Sequence, residues 1–192
     1  STRDERWYLE RMFAGTLMPG RSLSLFLRLF PEHVDKLCGH LAQYAGDIEF
    51  IGTVVEELKQ VHSPQANFAL ENIYGFSNDL IKIEVLRAMI GLPELDEGFL
   101  LPIVSQENIL LRKEAMAVLA CSDEARDKAV DILLRDDDVW GRKNAFVEEN
   151  IGILEELKIP DAIPYLERIA RKPFFWNSAL RRRAQKALEA LA

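Results

Sequence analysis

The sequence predicts an all-α protein assembled from helical hairpins, and three observations carry that prediction. Apolar residues recur at intervals of three and four along "IKIEVLRAM", "LLRKEAMAVLA", "DKAVDILL", "AIPYLERIA" and "ALRRRAQKALEAL", the period of one helix face. Alternating β-branched runs bounded by hairpin turns are absent. Residues able to cap helix N-termini recur at a nearly fixed interval: Asp47, Asn78, Asn108, Asp138 and Asn177 stand 31, 30, 30 and 39 residues apart.

Taken in order, residues 4–15, 21–30 and 32–45 read as three helices separated at Pro19-Gly20 and Pro31, since proline removes a backbone donor and glycine favours turns. The apolar stretch 23–30 is too short to cross a bilayer and is interrupted by Arg28, so it predicts a helix packed in protein. Arg11 stands three residues before Ala14, as in the later helices. The segment therefore reads as the second half of a hairpin, and the chain as the C-terminal part of a longer repeat protein.

Each of the five caps opens the second helix of a hairpin. Seven residues on stand Val54, Val85, Ala115, Ala145 and Ala184, and four further on Leu58, Met89, Leu119, Glu149 and Leu188. Small and large apolar residues four apart share one face, which is what close packing of a helix pair requires. Eight residues before the last four caps, Leu70, Leu100, Val130 and Ile169 mark the first helix of each hairpin. Four residues after each cap comes a column of Ile51, Lys82, Arg112, Arg142 and Arg181. It lies at ~60° from the small-residue column, inside the apolar arc, so its cations must lay their stems on the core and pair their heads with carboxylates or carbonyls.

These columns resemble HEAT and HEAT-like (armadillo-type) repeats, whose second helix opens on Asp or Asn and continues Val/Leu-Arg-x-x-Ala. "NILLRKEAMAVL" (108–119) matches best, "DVWGRKNAF" (138–146) in part and "NSALRRRAQKAL" (177–188) clearly. The resemblance covers residues 47–191 and implies a right-handed α-solenoid: N-terminal helices over 1–46, then a repeat array over 47–192 closed by a capping repeat. It further implies that the column arginine bridges to an Asp near the start of a helix, with Asp137 or Asp138 available. Two features depart from the pattern: a period of 30 against ~40–47 for HEAT units, and Ile51 in place of a cation.

Composition narrows the function. At 192 residues, 48% hydrophobic and 29% charged, with 10 Gly and 8 Pro, the chain can bury a core along its whole length. A net charge of −7 opposes phosphate backbones and argues against nucleic acid as the partner. Two cysteines far apart, Cys38 and Cys121, with no secretory leader legible, fit a reducing, cytoplasmic setting. No membrane role is expected.

Several candidate sites also have a structural role open to them. Glu149 stands where the other units have Leu or Met, yet Phe146, Val147, Ile151 and Leu154 still make an apolar stripe, which implies a local rotation or bend of the helix that exposes Glu149; Glu148 and Glu149 are partner-contact candidates if they face the inner surface. Asp136, Asp137 and Asp138 lack the spacing of a calcium loop and read as a cap that complements a helix dipole. His33, Cys38 and His40 do not complete a tetrahedral metal set. No nucleophile elbow, phosphate loop or Cys-His pairing is legible, and the His-Glu dyads of HEAT-like deoxyhypusine hydroxylases are missing. No catalytic residue, metal or cofactor is therefore assigned. The aromatic stretch Phe174-Phe175-Trp176 reads as two rings packed over the last hairpin and one open to a partner, with Trp176 the candidate. In the run 181–183, Arg181 belongs to the structural column, whereas Arg182, Arg183 and Lys186 fall at ~160–260°, the solvent side. The expectation is a non-enzymatic scaffold or adaptor for a protein partner. The alternative is a nucleic-acid-binding or repair module using the basic C-terminal edge, including Arg168, Arg171 and Lys172. HEAT-like alkylpurine glycosylases and phycobilin lyases are weaker readings that the resemblance leaves open.

Overall fold

A computed structural model describes residues 7, 8, 10, 11, 19–94, 96–135 and 140–191, the side chains of 19–21 excepted. The described residues form helices and no strands, and the chain divides into two compact units, Ser1–Asp96 and Glu97–Ala192.

The first unit contains α1 (Pro19–Leu29), α2 (Val34–Ala42), α3 (Ile48–Leu58), α4 (Pro64–Phe76) and α5 (Asp79–Met89). Alternate helices pack together, α1 on α3, α2 on α4 and α3 on α5, while α4 also packs on its neighbours α3 and α5. The apolar stretch in α1 is a packed helix, with Leu23, Phe26 and Leu27 buried. Asp47 caps α3 by accepting from the Phe50 amide at 3.0 Å, and Asn78 caps α5 by accepting from the Ile81 amide at 3.1 Å. Each such cap is worth about 1 kcal/mol. Pro64 opens α4 behind the Ser63 cap, where its missing N–H costs nothing.

The second unit contains α6 (Glu97–Leu100), α7 (Ile109–Leu119), α8 (Asp123–Leu134), α9 (Asn144–Glu156), α10 (Ile163–Ala170) and α11 (Ser178–Leu191). α7 packs on α9 and α9 on α11, while α8 packs on both α7 and α9, and α10 on α11. Asn108 caps α7, its Oδ1 accepting from the Leu110 and Leu111 amides at 3.0 and 3.4 Å. The four first-helix markers Leu70, Leu100, Val130 and Ile169 are buried.

The fourth hairpin corrects the expected register. α9 begins at Asn144 and its N-cap position is Lys143, so Asp138 does not cap it; Asp136, Asp137 and Asp138 lie outside the described residues. The chain first passes through Gly141 at φ +72°, a left-handed turn that glycine adopts without steric cost. Counted from Lys143, the small-residue position is Asn150 and the large one Leu154, both fully buried, whereas Ala145 is exposed. Arg142 precedes the helix rather than sitting inside its apolar arc. The second-helix spacings become 31, 30, 35 and 34 residues from Asp47, Asn78, Asn108, Lys143 and Asn177, and the long last interval disappears.

α11 also differs from expectation at its start. Asn177 is buried, and its side chain donates to the Pro173 carbonyl at 2.8 Å while accepting from Asn144 at 3.1 Å, so it ties loops together instead of capping its own helix.

Candidate functional site

Parallel helices in the second unit are registered by ion pairs, and these account for several residues that stood out in the sequence. Arg112 on α7 is fully buried, its Nη2 pairs with Glu149 on α9, and its guanidinium lies 4.2 Å from the centre of the Phe146 ring. Lys113 pairs with Glu156, and Arg183 on α11 pairs with Glu155 on α9. Ser105, just ahead of α7, lines one cleft with Arg142 and Lys143, just ahead of α9, so α7 and α9 begin at the same edge. α9 and α11 do likewise, because Asn144 at the start of α9 reaches residues 176 and 177.

At this edge the chain builds a clamped aromatic cluster. Asn144 Nδ2 donates to the Trp176 carbonyl at 3.1 Å and to Asn177 Oδ1 at 3.1 Å. Phe174 and Trp176 stack face to face with centroids 4.6 Å apart and planes 5° from parallel, and Phe175 meets Trp176 edge-on at 5.1 Å. Gly141 lies against the same indole: a methyl group added there would stand 2.9 Å from Trp176 Cδ1. Phe174 has φ +76° and ψ 141°, a conformation that costs an L-residue on the order of 1–3 kcal/mol. The loop's hydrogen bonds and ring stacking offset that cost. Phe175 is 81% exposed, Trp140 73% and Phe174 49%. Ile109 and Leu110 are exposed where α7 begins.

Cations flank the cluster along the chain. Residues 140–147 and 168–188 carry nine lysines and arginines and no carboxylate, with Arg142, Arg171 and Arg182 exposed. A cleft of about 530 Å³ is lined by Ser105, Ile132, Arg135, Arg142, Lys143 and Phe146. A smaller one, about 260 Å³, is lined in part by Asp131, Tyr165, Arg168 and Lys172. In it the Tyr165 hydroxyl donates to Asp131 at 3.4 Å, and burial, then the Asp131 charge, push the phenol above its ordinary range.

The six sequence candidates do not form one site. Glu149 is half exposed but pairs with Arg112, and Glu148 is half-buried on the same helix. Arg183 is not on the solvent side: it is half-buried against Glu155, and its guanidinium runs over Gly152, which has no Cβ in the way. Arg182 and Lys186 are exposed. Trp176 is half-buried, the least exposed of its three-ring stretch. Sequence reasoning missed the parts played by Trp140, Asn144 and Phe175. The signal available for them was Trp140-Gly141, an aromatic beside a turn residue.

Among the described residues no group of three or more His, Cys, Asp and Glu side chains is placed to hold a metal, and no helix is long and apolar enough to cross a membrane. Cys38 is buried and Cys121 exposed, both as free thiols. Burial, then Asp35, push the Cys38 thiol up to about 11. No protein-family model, curated protein or solved structure matches the chain.

Proposed function

We propose that this chain is a non-enzymatic protein-interaction module, a scaffold or adaptor built as a right-handed α-solenoid of HEAT-like hairpins and working in the cytoplasm. The observation that carries the reading is the set of outward-facing aromatic rings at this edge, Phe174 and Phe175 on the hydrogen-bonded loop before α11 and Trp140 on the loop before α9. Large rings held in one orientation supply apolar contact area with little conformational entropy left to lose, which is the character of interface anchors. The alternate packing of helices and their ion-pair registration within the second unit support the solenoid reading. The nucleic-acid alternative is less well supported, since Arg183 is engaged by Glu155 and cannot join Arg182 and Lys186 in a basic row.

The test is a comparative capture experiment using the immobilised chain and its Trp140→Ala/Phe175→Ala variant, both with unchanged circular dichroism. Both rings are exposed, so folding should survive the exchange. The expected result is one or more proteins from the native host retained by the wild type and lost from the variant. Identical retention by the two proteins would remove the aromatic edge as an interaction surface.

A further inference from the structure

We propose that the aromatic edge takes an extended, acidic segment of a partner protein that carries bulky apolar side chains at alternate positions. This rests on the interaction reading above and specifies the chemistry of the partner. Apolar anchors and cations are interleaved here. Trp140, Phe174 and Phe175 project from the loops at which α9 and α11 begin, and Arg142, Arg171 and Arg182 stand within a few residues of them. Arg142, Arg171 and Arg182 form no ion pair among the described residues, whereas Arg183 is held by Glu155. Burial of the rings supplies the affinity, while the charges select the sign of the partner and speed its encounter.

Geometry sets the length of the segment. α7, α9 and α11 begin along one edge, and packed helix axes lie about 8–10 Å apart. The edge therefore spans roughly 20 Å, the reach of about six to seven extended residues. Alternate side chains of such a strand face one way at intervals of about 7 Å, so apolar residues at alternate positions can reach neighbouring members of the row Ile109 or Leu110, Trp140 and Phe175.

A single-stranded nucleic acid could also use rings beside arginines, but two observations favour a peptide. Phe174 and Trp176 cover each other's faces, which leaves a base fewer platforms, and exposed Ile109 and Leu110 suit aliphatic or aromatic side chains rather than bases. The net charge of −7 repels a long polyanion more than a short segment.

Fluorescence anisotropy tests the proposal with the full chain. The probe is a fluorescein-labelled eight-residue peptide with phenylalanine, leucine and phenylalanine at alternate positions and glutamate elsewhere. Its controls replace every glutamate by lysine, or every apolar residue by alanine, and a labelled oligothymidine is the nucleic-acid probe. Saturable binding of the acidic peptide is expected, roughly tenfold weaker in Phe175→Ala and roughly threefold weaker in Arg142→Gln or Arg182→Gln. The lysine and alanine controls should bind at least tenfold more weakly. Equal binding of the lysine peptide, binding indifferent to Phe175, or tighter Phe175-dependent binding of oligothymidine would each overturn the proposal. Absence of peptide binding, alongside Phe175-dependent capture of a host protein, would reject this partner chemistry and leave the interaction reading standing. Absence of both would reject the two together.

Discussion

The pair between Arg112 and Glu149 permits a prediction whose sign is set by burial. The arginine is fully buried while Glu149 is 50% exposed. Arg112 Nε and Nη1 have no hydrogen-bond partner among the described residues, so Glu149 and the Phe146 ring carry the compensation for a desolvated cation. Removing one partner of a buried pair costs about 3–5 kcal/mol. Water reaching the exposed carboxylate lowers that, which places Glu149→Ala at about 2–3 kcal/mol of destabilisation. Arg112→Met removes the charge that must be desolvated. It gives up a cation–π contact worth ~2 kcal/mol when dry, partly regained by a sulfur–aromatic contact of about 0.3–1.5 kcal/mol. Since replacing buried ion pairs by apolar side chains is often neutral or stabilising, Arg112→Met should stay within about 1 kcal/mol of wild type. In its background Glu149→Ala should cost under ~0.5 kcal/mol, as for any exposed residue without a special role. The assay is urea unfolding followed by circular dichroism at fixed salt, with equal denaturant slopes confirming comparable transitions. A larger loss from Arg112→Met than from Glu149→Ala, or additivity within about 0.5 kcal/mol, would refute the argument.

Other positions give shorter tests. Lys158, at φ +54° after α9, closes a helix end in which the Ile159 amide donates to the Leu154 carbonyl at 3.0 Å; Lys158→Gly should therefore raise stability by about 0.5–1 kcal/mol, read by the same unfolding assay. Gly141→Ala meets both a left-handed backbone and Trp176 at 2.9 Å, so it should destabilise by about 1–3 kcal/mol and shift tryptophan emission, where an unchanged spectrum and stability would contradict the described contact. Of the two free thiols, exposed Cys121 should react with a disulfide reagent at pH 8 in the folded protein, and buried Cys38 only on unfolding. Because the Cys38 thiol rises from 9.0 to about 11 on folding, the folded state holds the proton that the unfolded state releases. Its contribution is complete below pH 9 and falls away as pH rises to about 11, a slope that Cys38→Ala should flatten.

Where the sequence could be read, the determining chemistry was local. Asp47, Asn78 and Asn108 each bond an amide two or three residues ahead, so residue type and position suffice to place those helix starts. A fixed period does not place the fourth hairpin, because its cap position Lys143 stands 35 residues after Asn108, five more than separate Asn78 from Asn108. Its buried Asn150 occupies a position held by Val or Ala elsewhere, which hides the true register behind a polar residue. Glu149 falls in a core column on the 30-residue period, but the stripe of Phe146, Val147, Ile151 and Leu154 already implies its exposure, and counted from Lys143 it is an edge position facing Arg112. Gly141 was the local mark of the missed turn. The aromatic edge depends on the φ of Phe174 and on a bond between Asn144 and Asn177, 33 residues apart, and no spacing rule reports either.

The recurring cation column shows why a repeated residue type need not repeat a function. Lys82 sits over the Tyr74 ring at 5.2 Å, within its own hairpin. Arg112 reaches the next hairpin at Glu149. Arg181 donates to the Lys172 carbonyl at 2.8 Å, just beyond the end of α10, where helix carbonyls lack intrahelical donors. Asn150 does the same for α8, donating to the Leu133 carbonyl at 2.9 Å. What these positions share is a geometry: a stem on the core face of the second helix, with a donor at its end that can reach whichever acceptor the packing leaves. Ring face, carboxylate and helix-end carbonyl all satisfy that requirement, so Lys82, Arg112 and Arg181 share a column without sharing a kind of partner, while the first and fourth hairpins fill that column with Ile51 and Val147 and Asn150 supplies its donor from the small-residue position. On this reasoning Arg181→Lys, which keeps a donor and a long stem, should retain more stability than Arg181→Met, and the opposite order in urea unfolding would show that packing of the stem rather than the donor sets the requirement.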